Sequence, residues 1–182
     1  MTRMKLIAMM ALALSGVARA SSRGAAPEPQ DLQKKIRHEL LMLPWLSIYD
    51  NLAFRVDDAG KVTLLGETVR PVLKSSAANV VKQVPGVTSV ENQIEVLPLS
   101  PNDDRIRLAV ARAIYGYPAL NRYALGANPS IRVIVKNGNV TLKGVVATTM
   151  DSQLAFIQAN GVTGAFAVEN QLAVESRQLA TR

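Results

Sequence analysis

Hydrophobic and polar residues alternate along the chain with two periods, one typical of helices and one typical of strands. The helical spacing occurs first at Leu32, Ile36, Leu40 and Leu43. Alternation at residues 52–56 and 62–64 then predicts a β-hairpin. A second helical pattern at 77–84 and an alternating segment at 90–96 follow. The predicted order of elements is therefore α-β-β-α-β.

The same order of elements occurs a second time. Residues 60–66, GKVTLLG, return as residues 138–144, GNVTLKG, and residues 90–94, VENQI, return as residues 168–172, VENQL. Both pairs share an offset of 78 residues. A constant offset between separated matches indicates that the whole intervening unit was copied. We therefore predict two tandem domains, at 31–97 and 103–176, with a linker at 98–102 and a tail at 177–182.

The order of elements also predicts the sheet within each domain. A strand-helix-strand crossover is right-handed and places its two strands parallel. The last strand should therefore lie parallel to the second strand of the hairpin. The fold class is α+β, and each α-β-β-α-β domain is a three-stranded mixed sheet with two helices on one face. The Asn137-Gly138 pair predicts a type I′ turn in the second hairpin.

Two motifs give these domains a resemblance to a known family. One is the glycine-bounded strand Gly138-x-Val140-x-Leu142-x-Gly144, and the other is Val162-x-Gly164-x-x-x-Val168-x-Asn170-x-Leu172. The first copy matches from Gly60 to Gly66 and from Val84 to Ile94. They resemble the BON domain (bacterial OsmY and nodulation) over nearly the whole mature chain. The resemblance implies a periplasmic envelope protein that binds phospholipid and has no catalytic motif.

The first 20 residues are predicted to be a signal peptide. Arg3 and Lys5 precede the apolar run 6–17, and Ala18-Arg19-Ala20 is a small-x-small cleavage site. The apolar run is shorter than the roughly 20 residues that a spanning helix needs. We expect export to the periplasm with cleavage after Ala20, followed by a flexible lead-in at 21–30. The alternative is an N-terminal helix that stays attached.

Cysteine content and charge limit the possible partners. The chain has no cysteine, so it has no disulfide, no thiolate metal ligand and no cysteine for lipid attachment. The signal peptide carries three of the 21 basic residues, which leaves 18 against 14 acidic ones. This mild positive bias fits an anionic membrane surface but not the dense basic stripe of nucleic-acid-binding proteins. We expect no cofactor.

The residues offer little for catalysis. His38 is the only histidine, and a metal site or catalytic dyad needs convergent partners. The pair Asp57-Asp58 falls in a hairpin loop, and Asp103-Asp104 begins a helix, where carboxylates satisfy exposed amides. Asp31 is available to cap the first helix. We therefore predict that the protein is not an enzyme.

Two other sets of residues are interpreted as structural. Glycines at 60, 66, 138 and 144 bound strands and lack the G-K-[ST] ending of a phosphate loop. They are expected to serve turn geometry and close packing. Asn92 and Asn170 fall on the apolar side of their strands, where an amide needs partners. A hydrogen bond to a neighbouring turn is favoured over ligand contact.

The first helices of the two copies differ on their outward sides. At an offset of 74 residues their inward residues match in kind, whereas Lys34 becomes Leu108. In the second copy the outward residues are spaced i, i+3, i+7 and i+10 on one stripe: Arg105, Leu108, Arg112 and Tyr115. Apolar and aromatic side chains flanked by arginines suit a lipid headgroup boundary. We predict lipid binding here, extended by Tyr117 and Tyr123 in the following loop.

An apolar outward stripe has a second interpretation. Leu108 and Tyr115 could pack against the other domain instead of lipid, because exposed apolar stripes mark interfaces of either kind. Trp45 and Tyr49 are the first copy's equivalents of the loop tyrosines, and they either extend such a surface or cover the helix end. The alternative function is a protein-interaction or assembly module that uses the stripe or an exposed strand edge.

Overall fold

The structure is a computed structural model that describes residues 29–126 and 128–175. The predicted signal peptide lies outside the described residues. The first domain contains α1 (Pro29–Leu41), β1 (Asn51–Val56), β2 (Lys61–Thr68), α2 (Pro71–Lys82), β3 (Ser89–Asn92) and β4 (Glu95–Val96). The second contains α3 (Pro101–Tyr115), a 3-10 turn (Asn121–Ala124), β5 (Ile131–Lys136), β6 (Asn139–Val146), α4 (Thr149–Asn160) and β7 (Ala167–Val174).

Both sheets have the predicted topology. β2 lies at the centre of the first sheet, antiparallel to β1 and parallel to β3 and β4. β6 occupies the same place in the second sheet, antiparallel to β5 and parallel to β7. The α+β prediction of two tandem units with three-stranded mixed sheets is confirmed. In the first sheet the last strand is interrupted between β3 and β4, where Gln93 N donates to Leu64 O over 2.8 Å.

Each domain has a separate apolar core between its helices and one face of its sheet. The first core is built on Ile36, Val62, Leu64, Ala77 and Val81, which are fully buried. The second is built on Val110, Ile114, Val133, Leu142 and Ala155. These residues follow the period of 3.6 in helices and of 2 in strands, which places them on one face of each element.

The helix starts differ from the sequence-based expectations. α1 begins at Pro29, so Asp31 lies within the first turn and is not the N-cap. α3 begins at Pro101, inside the predicted linker, and the hydroxyl of Ser100 caps it by accepting from Asp103 N. Proline is tolerated at the first helical position because its missing N–H would have no helical partner there. Pro29 and Pro101, which lie inside the predicted lead-in and the predicted linker, therefore open helices.

The second hairpin turn has the predicted conformation and an unpredicted anchor. Asn137 and Gly138 have φ values of 52° and 76°, the left-handed pair that a type I′ turn requires. Asp103 is 1% exposed, and its carboxylate accepts from Asn137 N and Gly138 N, each over 2.9 Å. Asp103 therefore holds the hairpin turn against the first turn of α3.

The glycines and the two asparagines have structural roles, as predicted, but the asparagine partners differ from the expected turn. Gly144 has a φ of +117°, and a Cβ there would lie 1.9 Å from Ser130 O, so only glycine allows this close approach. Asn92 Nδ2 donates to Lys74 O over 2.6 Å, and Asn170 Nδ2 donates to Ser152 Oγ over 2.9 Å. Their partners lie on α2 and α4 and not on a neighbouring turn. The two amides fasten each last strand to the helix before it.

The two domains pack on each other, as expected from their small size. Lys143 Nζ lies 2.6 Å from Glu67 Oε1, and Lys136 Nζ lies 2.6 Å from Glu95 Oε1. Both lysines lie on the face of the second sheet that points away from its own core. Both glutamates lie on strands of the first sheet, so the two ion pairs connect the domains. Ile134 lies on the same face as the lysines and is only 4% exposed. The first domain therefore covers the part of the open face that lies around Ile134 and Lys143, whereas Val145 on the same face is 49% exposed.

Candidate lipid-facing surface

Helix α3 presents three different faces. Ile106, Val110 and Ile114 belong to the domain core. A second face is formed by Arg107, Ala111 and Tyr115 and lies over the edge strand β5. The third face, which we name the α3 stripe, consists of Arg105, Leu108 and Arg112 and is exposed.

The α3 stripe combines an apolar side chain with two guanidinium groups. Leu108 is 48% exposed with both domains in place, so the interdomain packing does not cover it. Arg105 Nη2 donates to Asn102 Oδ1 over 2.8 Å. In α1 the position that matches Leu108 is Lys34, whose Nζ pairs with Asp31. The second copy therefore has an apolar residue on a helix face where the first copy has an ordinary ion pair.

Tyr115 does not lie on this stripe, and its predicted outward placement is wrong. Its hydroxyl donates to Ile131 O over 2.5 Å, and its ring packs against the core of the second domain. Burial raises the pKa of Tyr115 to about 12, against the opposing effect of the Arg132 charge. The helical period keeps Tyr115 close in direction to Leu108, because seven residues are nearly two turns. The position of β5 is what covers Tyr115 and leaves Leu108 exposed.

The loop tyrosines are also half-buried and do not extend the α3 stripe outward. Tyr117 packs against the core of the second domain. The hydroxyl of Tyr123 donates to Asp151 Oδ2 over 2.9 Å and accepts from Ala147 N over 2.8 Å. Arg122 Nη2 also donates to Asp151 Oδ2, over 2.6 Å. The longer loop of the second copy is therefore fastened to the start of α4.

Asp151 is suited to this anchoring role. Burial of its carboxylate raises the pKa, but hydrogen bonds from Thr148 and Tyr123 and the charge of Arg122 outweigh burial and lower it. The carboxylate is therefore ionised at neutral pH, where it accepts from all three side chains at once.

Each outward-facing residue of edge strand β5 has one backbone group that bonds to another part of the molecule, a feature that the sequence interpretation missed. Tyr115 donates to Ile131 O, Val133 N donates to Ile48 O over 2.8 Å, and Arg107 Nη2 donates to Val135 O over 2.7 Å. Arg107 is only 3% exposed. The i+4 spacing of Arg107, Ala111 and Tyr115 could have indicated that these residues share a covered helix face. The arginine in this set suggested a solvent-exposed face instead.

The first copy's aromatic residues have separate roles. Tyr49 packs against the core of the second domain, next to the main-chain bond between Ile48 and Val133. Trp45 is 68% exposed and has a φ of 70°. The guanidinium of Arg70 lies 5.5 Å from its ring centroid, within the range of a cation–π contact. Tyr49 therefore joins the domains, whereas Trp45 remains at the surface.

The described residues offer no group of three or more His, Cys, Asp or Glu side chains that could hold a metal ion. His38 is exposed in the last turn of α1. Within the same described ranges, no helix is long and apolar enough to cross a membrane.

The sequence pattern of the BON domain matches residues 30–98 and again residues 102–176. The chain belongs to the BON domain family. The two matches cover both α-β-β-α-β units, so each unit is one BON domain. BON domains form a non-catalytic family that is associated with membranes and phospholipid.

Among solved structures, the C-terminal domain of CdsD, the structural protein of the type III secretion system of Chlamydia trachomatis, is similar with a TM-score of 0.31 and 14% identity. The match covers 81% of this chain and 99% of that one. A second structure from studies of the same protein has the same TM-score and identity and covers 80% of this chain and 94% of that one. None of the curated proteins compared with the chain matches it.

Proposed function

We propose that this tandem BON protein is exported to the periplasm, binds anionic phospholipid through the α3 stripe and supports the integrity of the cell envelope. The observation that carries the proposal is the exposure of Leu108 between two exposed arginines on one helix face. Lys34 at the matched position of α1 shows that the fold does not require an apolar residue there.

The chemistry of the stripe fits a helix that lies on a headgroup layer. Guanidinium groups bind phosphate oxygens, and a leucine between them enters the acyl boundary. Each arginine near an anionic surface contributes about 1 kcal/mol. Burying the exposed half of Leu108 adds about 1 kcal/mol. The sum predicts weak, reversible binding that requires a high density of anionic lipid and weakens with salt.

The test is cosedimentation of residues 21–182 with phosphatidylcholine vesicles, with and without phosphatidylglycerol, at low and high salt. We expect binding only to anionic vesicles and only at low salt. Arg105→Glu with Arg112→Glu should abolish it, and Leu108→Ser should weaken it about fivefold, the equivalent of about 1 kcal/mol. The matched control is Lys34→Glu with Lys35→Glu, which makes the same charge change on α1.

Two results would contradict the proposed lipid binding. If the folded Arg105→Glu, Arg112→Glu variant binds as well as the α1 control, the α3 stripe is not the lipid site. If no vesicle binds the wild-type chain at any salt concentration, lipid binding is not its function.

A protein-interaction module of the envelope is the second candidate. It is favoured by strand β1, whose outer edge has no partner among the described residues, whereas the matching edge of β5 bonds to Tyr115, Ile48 and Arg107. Concentration-dependent self-association or capture of a peptide without vesicle binding would support this function.

A further inference from the structure

Strand β1 ends the first sheet with unpaired backbone groups. Asp57 N donates to Lys61 O across the hairpin, so in the antiparallel register the odd-numbered residues of β1 bond to β2. The backbone groups of Leu52, Phe54 and Val56 therefore point away from β2. No described residue hydrogen-bonds to them. An unpaired edge of this kind is a template for another strand.

The matching edge in the second domain shows how such groups are satisfied. Ile131, Val133 and Val135 occupy the places of Leu52, Phe54 and Val56 in the sheet. One outward group of each residue is bonded, to Tyr115, Ile48 and Arg107 respectively, as described above. β1 and β5 are therefore equivalent strands whose outer edges differ, since the edge of β5 is bonded and that of β1 is not bonded by any described residue.

The difference comes from one face of the first helix in each domain. At the offset of 74 residues, Arg107, Ala111 and Tyr115 of α3 correspond to Gln33, Arg37 and Leu41 of α1. In α3 these side chains reach and cover the edge strand. In α1 all three are exposed, and they line a groove of about 680 Å³ that runs between α1 and β1.

The groove combines apolar side chains with positive charge. Its apolar lining comes from both elements and the loop between them: Leu40, Leu41, Leu46, Leu52, Phe54 and Val56. Arg37 and Arg55 are exposed, and neither forms an ion pair within the described part of the chain. Asp50 also lines the groove, but its buried carboxylate accepts from Ser47 Oγ and Thr68 Oγ1. The carboxylate of Asp50 is therefore occupied by these internal hydrogen bonds and does not face the groove.

We propose that β1 receives an extended segment of a partner protein as an additional strand. The segment is about six residues long, to match β1, and alternates apolar with acidic residues. Its backbone bonds to the outward groups of Leu52, Phe54 and Val56, and its apolar side chains enter the groove. Its acidic side chains lie on the other face, next to Arg55, as an opposite-charge cross-strand pair. Arg37 attracts the same charge from the helix side.

The direct test is fluorescence anisotropy of a labelled eight-residue peptide that alternates valine and glutamate, titrated with residues 21–182. The control peptide has the same composition in two blocks, four valines followed by four glutamates. We expect the alternating peptide to bind and the block peptide not to bind. Two further peptides carry N-methyl groups on one or the other alternate set of amides. Since only one set of amides faces β1, methylating that set should abolish binding and methylating the other should not.

Reversing the two arginine charges beside the groove tests whether they contribute to peptide binding. The variant Arg37→Glu with Arg55→Glu should weaken binding of the valine–glutamate peptide by about tenfold, because the cross-strand pair at Arg55 and the longer-range attraction of Arg37 both become repulsive. The same variant should bind a valine–lysine peptide better than the wild type does. Arg105→Glu with Arg112→Glu is the matched control and should leave peptide binding unchanged. The groove variant should retain vesicle binding, which separates this proposal from the lipid site.

Three outcomes would overturn the proposal. Equal binding of the alternating and block peptides would show charge attraction without strand addition. Binding that tolerates either methylated set would exclude backbone pairing. A dimer in sedimentation velocity that Val56→Pro dissociates would show that a second copy of this chain occupies the edge, because proline there removes an outward N–H.

Discussion

Tyr115 shows how one residue is placed by contacts that the sequence pattern does not contain. Its spacing from Leu108 predicts a shared helix face, yet its hydroxyl reaches the carbonyl oxygen of Ile131 on the edge strand. The helical period places both side chains away from the main core. Only the position of β5 decides which of them is covered, and that position depends on long-range packing. Leu108 and the two arginines were predictable, because nothing lies over them.

The buried hydroxyl of Tyr115 predicts a loss of stability in alkali. Its pKa rises from 10.0 to about 12, so the folded protein keeps this proton when the unfolded chain releases it. The stabilisation is complete below pH 10.0 and is lost as the pH rises toward about 12. Tyr115→Phe should lower the free energy of unfolding by about 1 kcal/mol at neutral pH.

The measurement is urea denaturation of the wild type and Tyr115→Phe at several pH values between neutrality and about pH 11. The stability difference between the two proteins should shrink as the pH rises, because the variant has no hydroxyl to ionise. A difference that stays constant with pH would mean that Tyr115 titrates normally.

At the scale of elements, the order α-β-β-α-β and the type I′ turn could be predicted from local patterns. The helix caps could not. Pro29 and Pro101 open helices although the sequence suggested linkers, because proline suits both a first helical turn and a loop. Asp103 was predicted to cap α3, and instead it binds two amides of the β5–β6 turn. Such a contact across 34 residues has no local signature.

The turn anchored by Asp103 gives an element-scale prediction. Asp103→Asn replaces one acceptor oxygen with an NH₂ group, so one of the amides of Asn137 and Gly138 loses its partner. We expect a destabilisation of about 2 kcal/mol, the cost of an unsatisfied buried amide. Thermal and urea unfolding measure it, with Asp58→Asn in the exposed first hairpin loop as the control. Equal stabilities of the two variants would remove Asp103 from its anchoring role.

At the scale of the whole molecule, the repeat predicted two domains and their small size predicted that they pack together. It did not predict that they pack through the open face of the second sheet and the edge of β5. That arrangement depends on Tyr49, Ile48 and the ion pair between Lys143 and Glu67, whose residues are far apart in the chain. It leaves the α3 stripe and the edge of β1 uncovered, and these are the two surfaces proposed for binding.

The central claim is that Leu108 enters the headgroup boundary of an anionic membrane. The most direct measurement places an indole there, with Leu108→Trp in a Trp45→Phe background, and records its fluorescence with phosphatidylglycerol vesicles that contain brominated acyl chains. We predict a blue shift and strong quenching by bromine. Lys34→Trp in the same background is the matched control and should show neither. Equal fluorescence changes for the two variants, or none for either, would contradict the α3 stripe as the lipid site.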